Sequence, residues 1–65
     1  MEKISLAAAR VNAGYTQKDA AVALGVSNKT LCSWENGKTF PGQPMIEKIC
    51  ALYRISYDFI KFRAN

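Results

Sequence analysis

Apolar residues recur along this chain mostly at helical spacing, and strict two-residue alternation is scarce. Leu6, Arg10 and Ala13 stand at i, i+4 and i+7, which predicts a first helix over 2–13, closed by Gly14. Thr16 suits the N-cap of a second helix over 17–24, and Asp19 stands at the capping-box position three residues on. Ala20, Ala21 and Leu24 form its inner face, and the two alanines admit a close neighbour. Gly25-Val26-Ser27 reads as a three-residue turn, after which Ser27 caps a third helix over 28–36 that ends at Gly37. A fourth helix begins around Pro44, where a missing N–H costs nothing. Its stripe is Met45, Ile46, Ile49, Cys50 and Tyr53. Ser56 can cap a short fifth helix over 57–62. The pattern therefore predicts an all-α, compact five-helix bundle with no sheet, one domain over 1–65, and a helix-turn-helix hairpin over 17–36.

Sixty-five residues bury only about 60% of the surface that the unfolded chain exposes. At 49% hydrophobic and 22% charged, the composition is still that of a folded domain. Nine Lys and Arg against five Asp and Glu give a net charge of +4, which favours a polyanionic partner. The sequence holds no histidine and no close pair of carboxylates, so the usual parts of an enzyme are missing. No apolar run nears the roughly 18 residues of a membrane span, and the first residues carry no signal-peptide core. The two cysteines, Cys32 and Cys50, have neither metal-site nor disulfide-framework spacing. The expectation is a cytoplasmic protein with free thiols and no metal, cofactor or small-molecule ligand. Cys32 is expected to be accessible and Cys50 to fill a small core slot.

Two short helices joined by a glycine-led turn form an arrangement whose second helix can enter the DNA major groove. The string Thr16-Gln17-Lys18-Asp19-Ala20-Ala21-Val22-Ala23-Leu24-Gly25-Val26-Ser27 resembles the "TQxELAxxLGVS" string of the phage Cro and repressor (XRE-type) helix-turn-helix family. Thr30-Leu31-Cys32-Ser33-Trp34-Glu35-Asn36-Gly37 resembles its "TISxWExG" string. Pro41, Ile46, Ile49, Cys50, Tyr53 and Ile55 follow its tail, and Ser56-Tyr57-Asp58-Phe59-Ile60 looks like its closing "SxDxLL". Residues 4–62 share the likeness. The departures are Ala20 for a leucine, Cys32 for a serine, Cys50 for an alanine and Lys61 for a leucine. Ala20 implies a smaller core, and Lys61 leaves the packing of the last turn open.

At about 100° per residue, Asn28, Lys29, Cys32, Ser33 and Asn36 share one half of the third helix. Leu31, Trp34 and Glu35 share the other. The first half is small and polar, so it faces outward, and the resemblance makes outward the major groove. Asn28 and Lys29 match the family's principal base-reading positions; an Asn amide pairs with adenine N6 and N7, and Lys donates to guanine O6 and N7. Ser33 is a third candidate, and Cys32 lies in the middle of the same face. Gln17 stands where the family places a phosphate, at the positive end of a helix. Asn36 and Lys38 match a second backbone clamp. Lys18 is as readily a solvated charge, and Thr30 is open between a phosphate bond and packing. Arg10 and Glu35 match a partly buried ion pair of the family, and each lies on an inward stripe, which is odd for charges unless they meet. Trp34 belongs with the core.

The resemblance implies a sequence-specific regulator of transcription that binds double-stranded DNA, in the manner of a Cro-like repressor. One helix reads about four to five base pairs, so two copies are needed about 34 Å apart on a palindromic operator. Tyr57 and Phe62 are the candidate contacts of a homodimer that is weak without DNA, with Phe59 and Ile60 in the core. Two other readings compete. An antitoxin-type protein-interaction module uses the same fold but needs a tail, and only Arg63, Ala64 and Asn65 follow the last predicted helix. A single-strand binder needs aromatics among its basic residues, whereas here Tyr53, Tyr57, Phe59 and Phe62 lie away from Lys18, Lys29 and Lys38.

Overall fold

Most helix boundaries are set by a short polar side chain or a left-handed residue. The computed structural model describes residues 3–62. Strand β1 (Ile4–Ser5) leads into α1 (Leu6–Asn12), followed by α2 (Gln17–Leu24), α3 (Asn28–Glu35) and α4 (Gln43–Tyr53). A 3₁₀ turn (Tyr57–Phe59) and strand β2 (Ile60–Lys61) complete the order. Ser5, Thr16 and Ser27 cap α1, α2 and α3, accepting from the backbone N–H of Ala8, Asp19 and Thr30, each at 3.0 Å. Gly25 closes α2 at φ +76°, a conformation in which a Cβ is strained. Helix α4 has Gly42 at its N-cap, with Pro44 in the first turn.

Among the described residues ten buried hydrophobic side chains form the core. Leu6 and Ala9 come from α1; Ala20, Ala21 and Leu24 from α2; and Leu31 and Trp34 from α3. Ile49 and Tyr53 of α4 and Ile60 of β2 complete it. Ala20 is fully buried, so the residue that shrinks the core also seats one helix close against its neighbours.

Among the described residues four α-helices form, not five. The segment predicted as a fifth helix makes one 3₁₀ turn and then extends, with Ile4 opposite Ile60 and Ser5 opposite Lys61 in a parallel pair. Six residues pay a nucleation cost that few hydrogen bonds offset. Aromatic and β-branched side chains at 57, 59, 60 and 62 suit extended backbone. Burial alternates accordingly, with Ile60 buried, Lys61 exposed and Phe62 half-buried. Phe59 is exposed rather than in the core. The first helix begins at Leu6, after the strand, and its predicted start at 2 lies outside the described residues, as do Arg63, Ala64 and Asn65. The expected contrast between the thiols is absent: Cys32 and Cys50 are both half-buried and both free. Burial still pushes the Cys50 thiol up from its ordinary pKa.

One tie was not anticipated. Lys48 of α4 donates from Nζ to the Leu24 carbonyl at 3.0 Å, satisfying an otherwise open end of α2. Lys48→Met keeps the aliphatic stem and removes the donor. It is expected to lower the free energy of unfolding by about 1 kcal/mol in urea titrations. The exposed Lys29→Met should change it by under about 0.5 kcal/mol. Equal effects of the two would contradict the role given to Lys48.

Candidate nucleic-acid interface

Helix α3 is divided lengthwise as its spacing requires. Leu31 and Trp34 are buried, while Asn28, Lys29 and Asn36 are exposed, with Cys32 and Ser33 half-buried between them. Trp34 lies in the core, so it offers no stacking platform. The turn before α3 is fixed by backbone bonds from Gly25 N to the Val22 carbonyl at 3.1 Å and from Val26 N to the Ala21 carbonyl at 3.0 Å. Ser27 Oγ accepts from Thr30 N and donates to Thr30 Oγ1 at 2.9 Å, so the Thr30 side chain is engaged with its own cap. Asn36 turns back along the helix and donates to Cys32 Sγ at 3.3 Å.

The face is held from behind by charge. Arg10 Nε donates to Glu35 Oε2 at 2.8 Å, with side-chain exposures of only 14% and 7%. A second guanidinium nitrogen of Arg10 donates to the Tyr15 carbonyl at 2.9 Å, tying the loop after α1 to the pair. The other carboxylate oxygen of Glu35 accepts from Gln17 Nε2 at 3.0 Å. Gln17 Oε1 in turn accepts from Asn28 Nδ2 at 2.9 Å. Gln17 thus carries more than a position at the start of α2: its side chain is engaged on both sides. This bridge went unpredicted, because spacing along one helix says nothing about which side chain of the next it meets.

Lys18, Lys29 and Lys38 are exposed on α2, α3 and the loop beyond. Between Thr16 and Phe40 the carboxylates are Asp19 and Glu35, and Glu35 is paired inward. The exposed charge of this segment is therefore net positive. An open recess of about 480 Å³ is lined by Asn12, Ala13, Tyr15, Leu52, Tyr53 and Arg54, none of them from α3. Among the described residues no group of side chains could hold a metal ion, and no helix is long and apolar enough to cross a membrane.

Two helices at a tight glycine turn, the second with a buried apolar half and an exposed polar one, define a helix-turn-helix domain. A family model described as helix-turn-helix matches residues 6–60, and the chain belongs to that family, the XRE-type group of DNA-binding transcriptional regulators, which is not a family of enzymes. The chain is 38% identical over 52 residues to the HTH-type transcriptional regulator ImmR of Bacillus subtilis (strain 168). The match covers 80% of this chain and 41% of that protein, so the chain spans about two fifths of that relative's length. No solved structure matches significantly.

Removing Arg10 leaves the Glu35 carboxylate without its partner in a nearly closed site. Arg10→Ala is expected to cost about 3 kcal/mol of unfolding free energy. A loss below about 0.5 kcal/mol in denaturant titration would show that water replaces the pair.

Tyr53 gives a pH test of the same interior. Its hydroxyl is buried with no hydrogen-bond partner. Burial first, then the negative charge of Glu35, push its pKa up to about 12, against an opposing pull from Arg10. The folded state therefore holds this proton to higher pH than the unfolded state does. Stability from this group is complete below about pH 10 and declines as pH rises from 10 toward 12. Tyr53→Phe should lose less stability than the parent across that interval in denaturation at stepped pH. Parallel curves would contradict the assignment.

Proposed function

We propose that this domain binds duplex DNA sequence-specifically as a Cro-like repressor, two copies reading an imperfect palindrome with α3 in each major groove. The observation that carries the reading is the polar outer half of α3, flanked by exposed lysines and locked to the core by Leu31, Trp34 and the Arg10–Glu35 pair. A relative named as a transcriptional regulator supports it. Asn28 and Lys29, at the N-terminal end of α3, read base edges, with Ser33 and Cys32 next along the face. Phosphates are met by the N-terminal backbone of α2 at Gln17, by Lys18 and Thr30, and by Asn36 and Lys38 beyond the other end of α3.

The dimer contact is assigned to the C-terminal aromatics. Tyr57 is 56% exposed and Phe59 is 37% exposed. Phe62, predicted as exposed, is half-buried against the core and stacks on Tyr57 with ring centroids 5.7 Å apart. The outer surface of the contact is thus Tyr57 and Phe59, with Phe62 beneath. So small a patch gives a weak free dimer that DNA promotes.

Selection of bound duplexes from a random pool tests the reading, with dyad-symmetric sites as the expected product. Affinity should fall with salt at a log–log slope of about −4 to −5, for four to six neutralised phosphates. Lys29→Ala should relax preference at one base pair per half-site by about 1–3 kcal/mol, whereas Lys38→Ala should weaken all sequences alike. If Lys29→Ala weakens every sequence equally, Lys29 is a phosphate contact.

Tyr57→Asp should abolish cooperative filling of the two half-sites and leave half-site binding intact. Cooperativity retained in Tyr57→Asp would move the interface elsewhere.

A further inference from the structure

Small-molecule sites occupy about 300–1,000 Å³ and set a few polar groups among apolar and aromatic ones. The open recess of about 480 Å³ has that size and that make-up. No motif announces it, because Asn12, Ala13 and Tyr15 form one wall and Leu52, Tyr53 and Arg54 the other. The rings of Tyr15 and Tyr53 lie together, with centroids 6.0 Å apart. Tyr53 is only 5% exposed, and its hydroxyl has no hydrogen-bond partner. Tyr15 accepts from Arg10 through its carbonyl, so the recess adjoins the ion pair behind α3.

The polar groups of the recess are of two kinds. The last carbonyls of a helix have no partner within it. Among the described residues no backbone N–H reaches those of Asn12, Ala13, Leu52 or Tyr53. These are acceptors at the negative ends of α1 and α4, and they favour a cation. The donors are the side chains of Arg54 and Asn12, and neither makes an ion pair or hydrogen bond among the described residues. No carboxylate lines the recess to neutralise Arg54. Arg54 also ends α4 at φ +56°, the one non-glycine residue described with a positive φ. Glycine is the usual residue at such a position, and a Cβ there is strained. Strain kept at a position that glycine would relieve points to a use for the guanidinium. A guanidinium beside free carbonyls suits a molecule that carries a carboxylate and an ammonium on one carbon. We propose that the recess binds a free α-amino acid with an aromatic side chain. Its carboxylate meets Arg54 and Asn12, its ammonium meets the carbonyls that end α1 and α4, and its ring lies against Tyr15 and Tyr53.

The test is an NMR titration of the free protein at neutral pH with three probes that share one ring. L-phenylalanine carries both charges, phenethylamine lacks the carboxylate, and 3-phenylpropionate lacks the ammonium. L-phenylalanine should shift the resonances of Asn12, Tyr15, Tyr53 and Arg54 saturably, with a dissociation constant on the order of millimolar. Each of the other two should bind about five- to tenfold more weakly. Arg54→Gly should fold with a thermal midpoint no lower than the parent's, since glycine fits φ +56°. It should weaken L-phenylalanine to the level of phenethylamine and leave phenethylamine unchanged. No saturable shift at these residues, equal binding of the three probes, or shifts centred on Lys18, Lys29 and Lys38 would overturn the site. Full affinity for L-phenylalanine in Arg54→Gly would overturn the role of Arg54. The titration contains no DNA, so its failure is distinct from a failure of the DNA-binding reading.

Discussion

A single ion pair, Arg10 with Glu35, fixes how the first and third helices meet. Two nearly enclosed charges carry a desolvation cost that their attraction offsets only with good geometry and further hydrogen bonds. Both conditions hold here. The contact is 2.8 Å, the guanidinium also serves the Tyr15 carbonyl, and the second carboxylate oxygen serves Gln17. The pair thus orders α1, the loop before α2, the start of α2 and the end of α3 at once. An apolar replacement of the pair could match its stability, but it would leave Gln17, and through it Asn28, without a fixed orientation.

That arrangement separates the molecule into regions with different tasks. Leu24, Leu31, Trp34 and Ile49 supply the apolar burial that holds α2, α3 and α4 together. The polar half of α3 is relieved of packing duty and is free to carry donors and acceptors. Exposed aromatic surface lies at Tyr57 and Phe59, on the segment after α4, and at Phe40 in the loop before it. A domain this small has few residues to divide between core and surface, and Glu35 and Gln17 link the two.

Much of this was legible in the sequence because it is written locally. Thr16, Gly25 and Ser27 mark the limits of α2 and α3 through their own caps, and residue spacing alone divides α3 into a buried and an exposed half. The C-terminal segment was misread because its structure depends on a distant partner: Ile60 extends to pair with Ile4, fifty-six residues earlier in the chain. The bond from Asn28 to Gln17 and the tie from Lys48 to the Leu24 carbonyl were illegible for the same reason, since each joins groups across two helices. The unequal burial expected of Cys32 and Cys50 failed because Asn36 packs over one and the edge of the core half-covers the other.

The claim that the outer half of α3 reads the major groove is tested most directly by dimethyl sulfate footprinting on a selected operator. The reagent methylates guanine N7 in the major groove and adenine N3 in the minor groove. The account predicts protection of guanine N7 in two clusters about one helical turn, or 34 Å, apart, with adenine N3 between them still reactive. Protection confined to adenine N3, or a single unrepeated cluster, would contradict it.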